Sequence, residues 1–222
     1  MEQAWLFLQR GGIIMIPLIL SSIIVLAIAI ERSIVLRKKK ILNPEIINVI
    51  EQIEKPEDIN LAISICNKNK GAFANIVQLS LQNKHLPKLE LKELITDQGR
   101  QEVHTLQKGL TVIETIAGIA PLLGLLGTVL GMIKVFTVIS EQGLGQTQAL
   151  SGGISEALIT TVVGLSIGIP SLVLYNYFTN KTENLIMDIE KFTSKLLRKL
   201  SHYNTCLLYT SPSPRDLSTS RM

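Results

Sequence analysis

The stretch "GIAPLLGLLGTVLGMIKVF" (residues 118–136) is apolar enough for a lipid bilayer, yet it contains four glycines, a proline and a threonine. A helix that only has to face lipid needs none of these residues, because leucine alone supplies the hydrophobicity. Small residues in a membrane helix let another helix backbone approach closely. The stretch therefore predicts a transmembrane helix with one face in contact with a second helix.

The same character extends over the chain of 222 residues, which is 46% hydrophobic with a mean hydropathy of +0.33. Three uncharged segments approach or exceed the roughly 20 residues that span a bilayer. They are Ile13 to Ile30 (18 residues), Thr115 to Ile133 (19) and Ala157 to Asn180 (24). The sequence predicts an all-α integral membrane protein with three transmembrane helices, in which helices two and three extend into a helical cytoplasmic domain.

The distribution of positive charge predicts the orientation. Only Arg10 precedes the first span, whereas Arg32 and the cluster 37–40 follow it, and the segment 140–153 has no Lys or Arg. Because basic residues remain on the cytoplasmic side, the N-terminus is predicted to be external and the C-terminus cytoplasmic. The net charge of +4 then reflects topology, which argues against a nucleic-acid partner.

The charge pattern and the helix signals divide the chain into eight segments. They are a short external N-terminus (1–12), the first span (13–32), a cytoplasmic helical domain (33–109), the second span (110–139), an external loop (140–153), the third span (154–180), a cytoplasmic helix (181–204) and a tail (205–222). The tail is rich in Ser, Thr and Pro without apolar periodicity, so it is predicted to be disordered, either native or a cloning or sequence-assembly artefact.

Turn signals predict the helices of the cytoplasmic domain. Asn43-Pro44 and the segment 55–58 are typical of helix starts, and Lys70-Gly71 and the segment 85–87 of breaks. Between Leu89 and Phe136 only Pro121 interrupts the pattern, which predicts one long helix. After Lys181, apolar residues recur every three or four positions, as on an amphipathic helix. They are Leu185, Ile189, Phe192, Leu196 and Leu200.

Small residues form one stripe on each of the second and third spans when these are projected as helices. The stripes are Ala117, Ala120, Gly124, Gly127, Thr128 and Gly131, and Ala157, Thr160, Thr161, Gly164, Gly168, Ser171 and Tyr175. Both contain GxxxG spacing, so the glycines Gly124, Gly127, Gly131, Gly164 and Gly168 are predicted to serve helix packing.

The hydroxyls of Thr128, Thr160 and Thr161 allow two interpretations. Each either bonds a carbonyl of its own helix or lines a polar path. Glu156, beside the third span, is either a helix-terminus residue or a functional group at membrane depth. Lys134 lies at a similar level and could pair with it.

The sequence lacks motifs for several functions, among them metal binding and catalysis. No Asp, Glu, Lys, Arg or His lies in the middle of any span, so a carboxylate that carries a proton would have to come from another subunit. Cys66 and Cys206 have no spacing that suggests a metal site or a disulfide. The sequence predicts no cofactor and no metal, and the absence of catalytic motifs argues against an enzyme.

Two stretches carry a family resemblance: "APLLGLLGTVLGMI" (120–133) and "GGISEALITTVVGLSIGIPSLVLYNYF" (152–178). With "GGIIMIPLILSSIIVLAIAIER" (11–32) and "QGRQEVHTLQKGLTVIETIAGIAP" (98–121), they resemble the MotA/TolQ/ExbB proton-channel family, and its ExbB branch most closely. TolQ shares the same motifs, and a flagellar MotA would carry a fourth span. The first, external segment is shorter than that of some ExbB proteins.

The resemblance implies a proton-channel and stator subunit of the bacterial inner membrane. It implies a pentamer around an ExbD-like or TolR-like single-span partner with an intramembrane aspartate, and a TonB-like or TolA-like protein that uses the proton-motive force for outer-membrane transport. The family's polar positions correspond to Thr128, Thr161 and Glu156, and Thr160 ranks lower because relatives often have alanine there. A TolQ-like role in the Tol-Pal system and a non-conducting membrane scaffold are the alternatives.

Overall fold

The structure, a computed structural model, describes residues 11–52, 58–69, 71–143 and 147–209. These residues form helices and no strand. The helices are α1 (Met15–Val35), α2 (Lys38–Ile41), α3 (Pro44–Gln52), α4 (Asp58–Lys68), α5 (Ala72–Gln82), α6 (Lys88–Gln107), α7 (Leu110–Gln142) and α8 (Thr147–Tyr209). The predicted all-α fold class is confirmed.

The chain divides into two compact units. The first unit comprises Met1–Val35 and Gln107–Asn180, and the second comprises Leu36–Leu106 and Lys181–Met222. Three helices, α1, α7 and α8, contain segments long and apolar enough to cross a membrane. Helix α8 contributes to both units without a break, as the sequence predicts for the third span and the residues after it.

The second span does not continue from α6 as a single helix, so that prediction is wrong. Helix α6 ends at Gln107 and α7 begins at Leu110, because Gly109 adopts φ +83° and ends the regular helical path. Pro121, the expected interruption, lies inside a continuous α7. The missed signal is Lys108-Gly109, a basic residue followed by glycine, which is typical of a helix end.

The second unit is a small helical domain with its own apolar core. Helix α3 packs on α4 and α4 on α5, and the rings of Phe73 and Phe192 lie 5.9 Å apart. The apolar positions predicted after Lys181 are buried in this core, apart from the partly exposed Phe192. Burial also raises the pKa of the Cys66 thiol to about 11, which keeps this free cysteine protonated.

Some of the predicted helix boundaries agree with those observed in the second unit. Helix α3 begins at Pro44, where the Asn43 side chain accepts a hydrogen bond from the Glu45 amide, and the breaks near Gly71 and Pro87 are confirmed. The start signal at 55–57 lies outside the described residues. Helix α8 continues to Tyr209, past the predicted beginning of the tail at 205, and residues 210–222 lie outside the described part.

Candidate functional site

Helices α7 and α8 of the first unit run antiparallel with their small-residue stripes facing each other. A Cβ placed on Gly124 would lie 3.0 Å from the carbonyl oxygen of Thr160, and one on Gly164 would lie 2.7 Å from that of Ala120. Real Cβ atoms do not approach other atoms to 2.7 Å, and a distance of 3.0 Å is tighter than most of their contacts, so glycine at both positions lets the two backbones come this close.

The contact continues along the length of both stripes. A Cβ on Gly131 would lie 2.8 Å from the Ala157 Cβ, and one on Gly168 would lie 2.6 Å from the Pro121 ring. The glycines of the two stripes therefore pack against the facing helix within one chain, as predicted.

Thr160 lies inside this contact between α7 and α8. Its side chain is 1% exposed, its hydroxyl donates to the Ala157 carbonyl at 2.8 Å, and its side-chain atoms fill the space that a Cβ on Gly127 would occupy. This geometry is that of a packing residue, and a pathway role of Thr160 stays a prediction.

Thr128 and Thr161 lie at the edge of the contact and remain partly exposed. The Thr161 hydroxyl donates across the helix pair to the Gly124 carbonyl at 3.2 Å, and it lies 3.5 Å from the Ala157 carbonyl. Thr128 donates to the Leu125 carbonyl at 2.6 Å. Gly124 lies one turn before Thr128 on α7, so its carbonyl and the two hydroxyls lie near each other along the edge of α7 and α8. We call these three groups the polar seam.

Glu156 forms the predicted ion pair with Lys134, at 2.5 Å between Oε1 and Nζ. The Lys134 side chain is 59% exposed and that of Glu156 is 20% exposed. Lys134 lies six residues beyond Thr128 and Glu156 five before Thr161, which at 1.5 Å per residue places the pair about 8 Å along the helices from the seam. The pair and the seam are therefore neighbouring polar features of one unit.

Two contacts at this end of the unit involve glycines outside the predicted packing set. A Cβ on Gly153 would lie 2.6 Å from Val135 Cγ2, so Gly153 also belongs to the helix contact. The sequence predicts Gly153 in an external loop, because it gives no clear signal for the start of α8 at Thr147. The second is Gly12, whose missing side chain leaves room for the Glu156 carboxylate.

Comparison with known protein families identifies the family of this chain. Residues 68–191, more than half of the chain, match the MotA/TolQ/ExbB proton channel family. The chain belongs to this family. Because its family is one of membrane proteins and three of its helices are apolar enough to cross a bilayer, the protein is a membrane protein.

Individual relatives of the family carry ExbB and TolQ names. The biopolymer transport protein ExbB-like 3 of Synechocystis is 26% identical over 96% of this chain and 100% of its own length. The biopolymer transport protein ExbB of Aquifex aeolicus is 42% identical over 38% of this chain and 57% of its own length. The Tol-Pal system protein TolQ of Haemophilus influenzae is 27% identical over 84% and 89%.

Proposed function

We propose that this protein is the channel-forming stator subunit of an ExbB–ExbD–TonB type motor in the bacterial inner membrane. The polar seam of Thr128, Thr161 and the Gly124 carbonyl carries the proposal. The seam is partly exposed, and many exposed side chains of the same two helices, such as Leu122, Leu125 and Leu158, are apolar. A second chain that packs against this edge would meet the two partly exposed threonines instead of leucine.

The partner in this proposal supplies the titratable group. The uncharged stretches of α7 and α8 contain hydroxyls but no carboxylate, and hydroxyls do not ionise near neutral pH. An ExbD-like or TolR-like single-span protein with an intramembrane aspartate would complete the path. The seam would then stabilise that aspartate in its charged form as a proton arrives or leaves.

Several copies of the chain, a pentamer in this proposal, would surround that partner. The proposed pore is lined by the edge around the seam and by neighbouring exposed surfaces, since the glycine stripes are occupied by each other. The unit formed by Leu36–Leu106 and Lys181–Met222 is proposed to be cytoplasmic, and the connection between α7 and α8 periplasmic, because of their opposite content of basic residues.

Proton flux tests the role of the seam. The complex with its single-span partner is reconstituted into vesicles, and acidification is measured for Thr128→Val, Thr161→Val and the double variant. Valine keeps the shape of threonine and removes the hydroxyl, so flux is expected to fall in each and most in the double variant. The matched control is Thr137→Val, whose exposed hydroxyl only bonds Ile133 of its own helix.

Undiminished flux in the double variant would remove the seam from the mechanism. It would favour the scaffold alternative, which has its own support in the close mutual packing of the two stripes. A scaffold tolerates loss of the hydroxyls but not Gly127→Leu, which forces the helices apart. Copurification with a TolA-like instead of a TonB-like protein would favour the TolQ-like role that the relative from Haemophilus influenzae suggests.

A further inference from the structure

Three segments of the first unit converge on the Glu156 carboxylate. Helix α8 carries Glu156, α7 contributes the Lys134 ammonium at 2.5 Å, and the turn before α1 contributes the main chain of Gly12. A Cβ placed on Gly12 would overlap Glu156 Oε1, the same oxygen that pairs with Lys134, and would lie 3.0 Å from Cδ. The carboxylate is thus held between an ammonium and a bare stretch of backbone.

Gly12 meets two separate requirements for glycine. Its φ of +66° lies in the left-handed region, which side chains with a Cβ rarely adopt. The turn is closed by the Met15 amide, which donates to the Gly12 carbonyl at 3.2 Å, so the position of Gly12 is tied to the start of α1. The second requirement is the contact with Glu156, which leaves no room for a methyl group.

We propose that Gly12 is a positioning residue for Glu156. Its backbone closes over the carboxylate and holds it against Lys134, so the first turn of α1 determines whether Glu156 is paired or free. A displacement of that turn opens the space beside Oε1 and releases the carboxylate from the lysine. The consequence for ion flow rests on the proposed function, whereas the positioning itself does not.

Carbodiimide coupling measures this positioning without any ion flow. The reagent joins the Lys134 amine to the Glu156 carboxyl as an amide and takes up the oxygen that is lost as a urea. The full chain is treated in membranes, and the cross-linked peptide is quantified by mass spectrometry. Reacting groups must lie within about 3.5 Å, so a small displacement in Gly12→Ala is expected to lower the yield about tenfold.

Gly143→Ala is the matched control for backbone strain. Gly143 also has a positive φ, +74°, but a Cβ there would meet nothing within 4 Å. The cross-link yield in Gly143→Ala is expected to equal that of the unchanged protein. An unchanged yield in Gly12→Ala, or an equal loss in both variants, would overturn the proposal.

A double-mutant cycle covers the case in which Gly12→Ala folds poorly. In a Glu156→Ala background the overlapping carboxylate is gone, so Gly12→Ala is expected to lower the melting temperature only as much as Gly143→Ala does. In the Glu156 background it is expected to lower it further. Equal losses in both backgrounds would show that strain alone is responsible and would contradict the positioning role.

Proton flux of the reconstituted complex then separates the two proposals. If Gly12→Ala loses the cross-link and its flux falls toward that of Glu156→Gln, positioning and its functional consequence are both supported. If the cross-link is lost but flux matches that of Gly143→Ala, the link between α1 and ion flow is refuted. An unchanged protein without flux contradicts the proposed function, while the cross-link result still decides the positioning.

Discussion

At the scale of single residues, Gly127 and Thr160 form a matched pair, one with no side chain and one whose side chain fills the space. The Thr160 Cβ would lie 2.5 Å from a Cβ on Gly127, and Thr160 is among the most buried side chains of the chain's described part. The same logic applies to Gly168 and Pro121. Together with the backbone contact of Gly124 and Gly164, these pairs set the distance between α7 and α8.

The pair predicts opposite effects for two otherwise similar substitutions. Gly127→Ala is expected to lower the free energy of unfolding by about 1–3 kcal/mol, because a methyl group has no space there. Gly118→Ala, on an exposed part of α7 where a Cβ would meet nothing within 4 Å, is expected to be neutral or slightly stabilising. Thermal unfolding in detergent measures both.

A compensating change sharpens this test. Thr160→Gly removes the atoms that the new methyl group would meet, so the Gly127→Ala, Thr160→Gly double variant is expected to regain part of the stability that Gly127→Ala loses. Equal stability of Gly127→Ala and Gly118→Ala would contradict the close contact.

At the scale of elements, the break between α6 and α7 depends on Gly109. A Cβ at its φ of +83° is strained, and it would lie 3.4 Å from Ile28 Cγ2. Gly109→Ala is therefore expected to lower the free energy of unfolding by about 1–2 kcal/mol, and Gly109→Asn by less, since asparagine tolerates this conformation better. Urea or thermal unfolding of the detergent-solubilised chain measures the difference.

Gly99 provides the control for Gly109. It lies inside α6, and a Cβ there would meet nothing within 4 Å, so Gly99→Ala is expected to stabilise the helix. A stabilising effect of Gly109→Ala as well would contradict a break at Gly109. It would instead support one continuous helix over residues 88–142, as the apolar pattern of the sequence suggested.

The elements also show what the sequence could and could not predict. Long uncharged segments in the sequence identify the three apolar helices. The spacing of apolar residues after Lys181 identifies the buried face of that part of α8. Pattern alone could not tell which partner each small-residue stripe has. The same small residues are needed whether a stripe packs against a helix of its own chain or against a helix of a second copy. Only the three-dimensional structure distinguishes these two cases.

The site was predicted to a similar extent. The ion pair of Lys134 and Glu156 follows from their similar level in two neighbouring spans. The contact of Gly12 with Glu156 could not be predicted from the sequence, because it depends on where the turn before α1 lies. Glycine is common in turns and does not by itself indicate a contact partner. The pathway roles of Thr128, Thr161 and Glu156 stay predictions.

At the scale of the whole molecule, much of the surface of the first unit is apolar. Side chains such as Leu122, Phe136, Leu158 and Val173 are more than 60% exposed. Exposed apolar surface of this extent on three long helices requires lipid or other membrane chains around it. The side of the membrane on which the second unit lies is predicted separately, from the basic residues that it contains and that the connection between α7 and α8 lacks.

Single cysteines test that topology in a Cys66→Ser, Cys206→Ser background. Ser151→Cys, exposed at the beginning of α8, is expected to react with a membrane-impermeant maleimide in intact spheroplasts, because the connection before it lacks basic residues. Asn67→Cys, exposed in α4 of the second unit, is expected to react only after permeabilisation. Both should react equally once the protein is denatured, which controls for expression. Labelling of Asn67→Cys in intact spheroplasts would place the second unit in the periplasm, and a cytoplasmic helical domain would then be excluded.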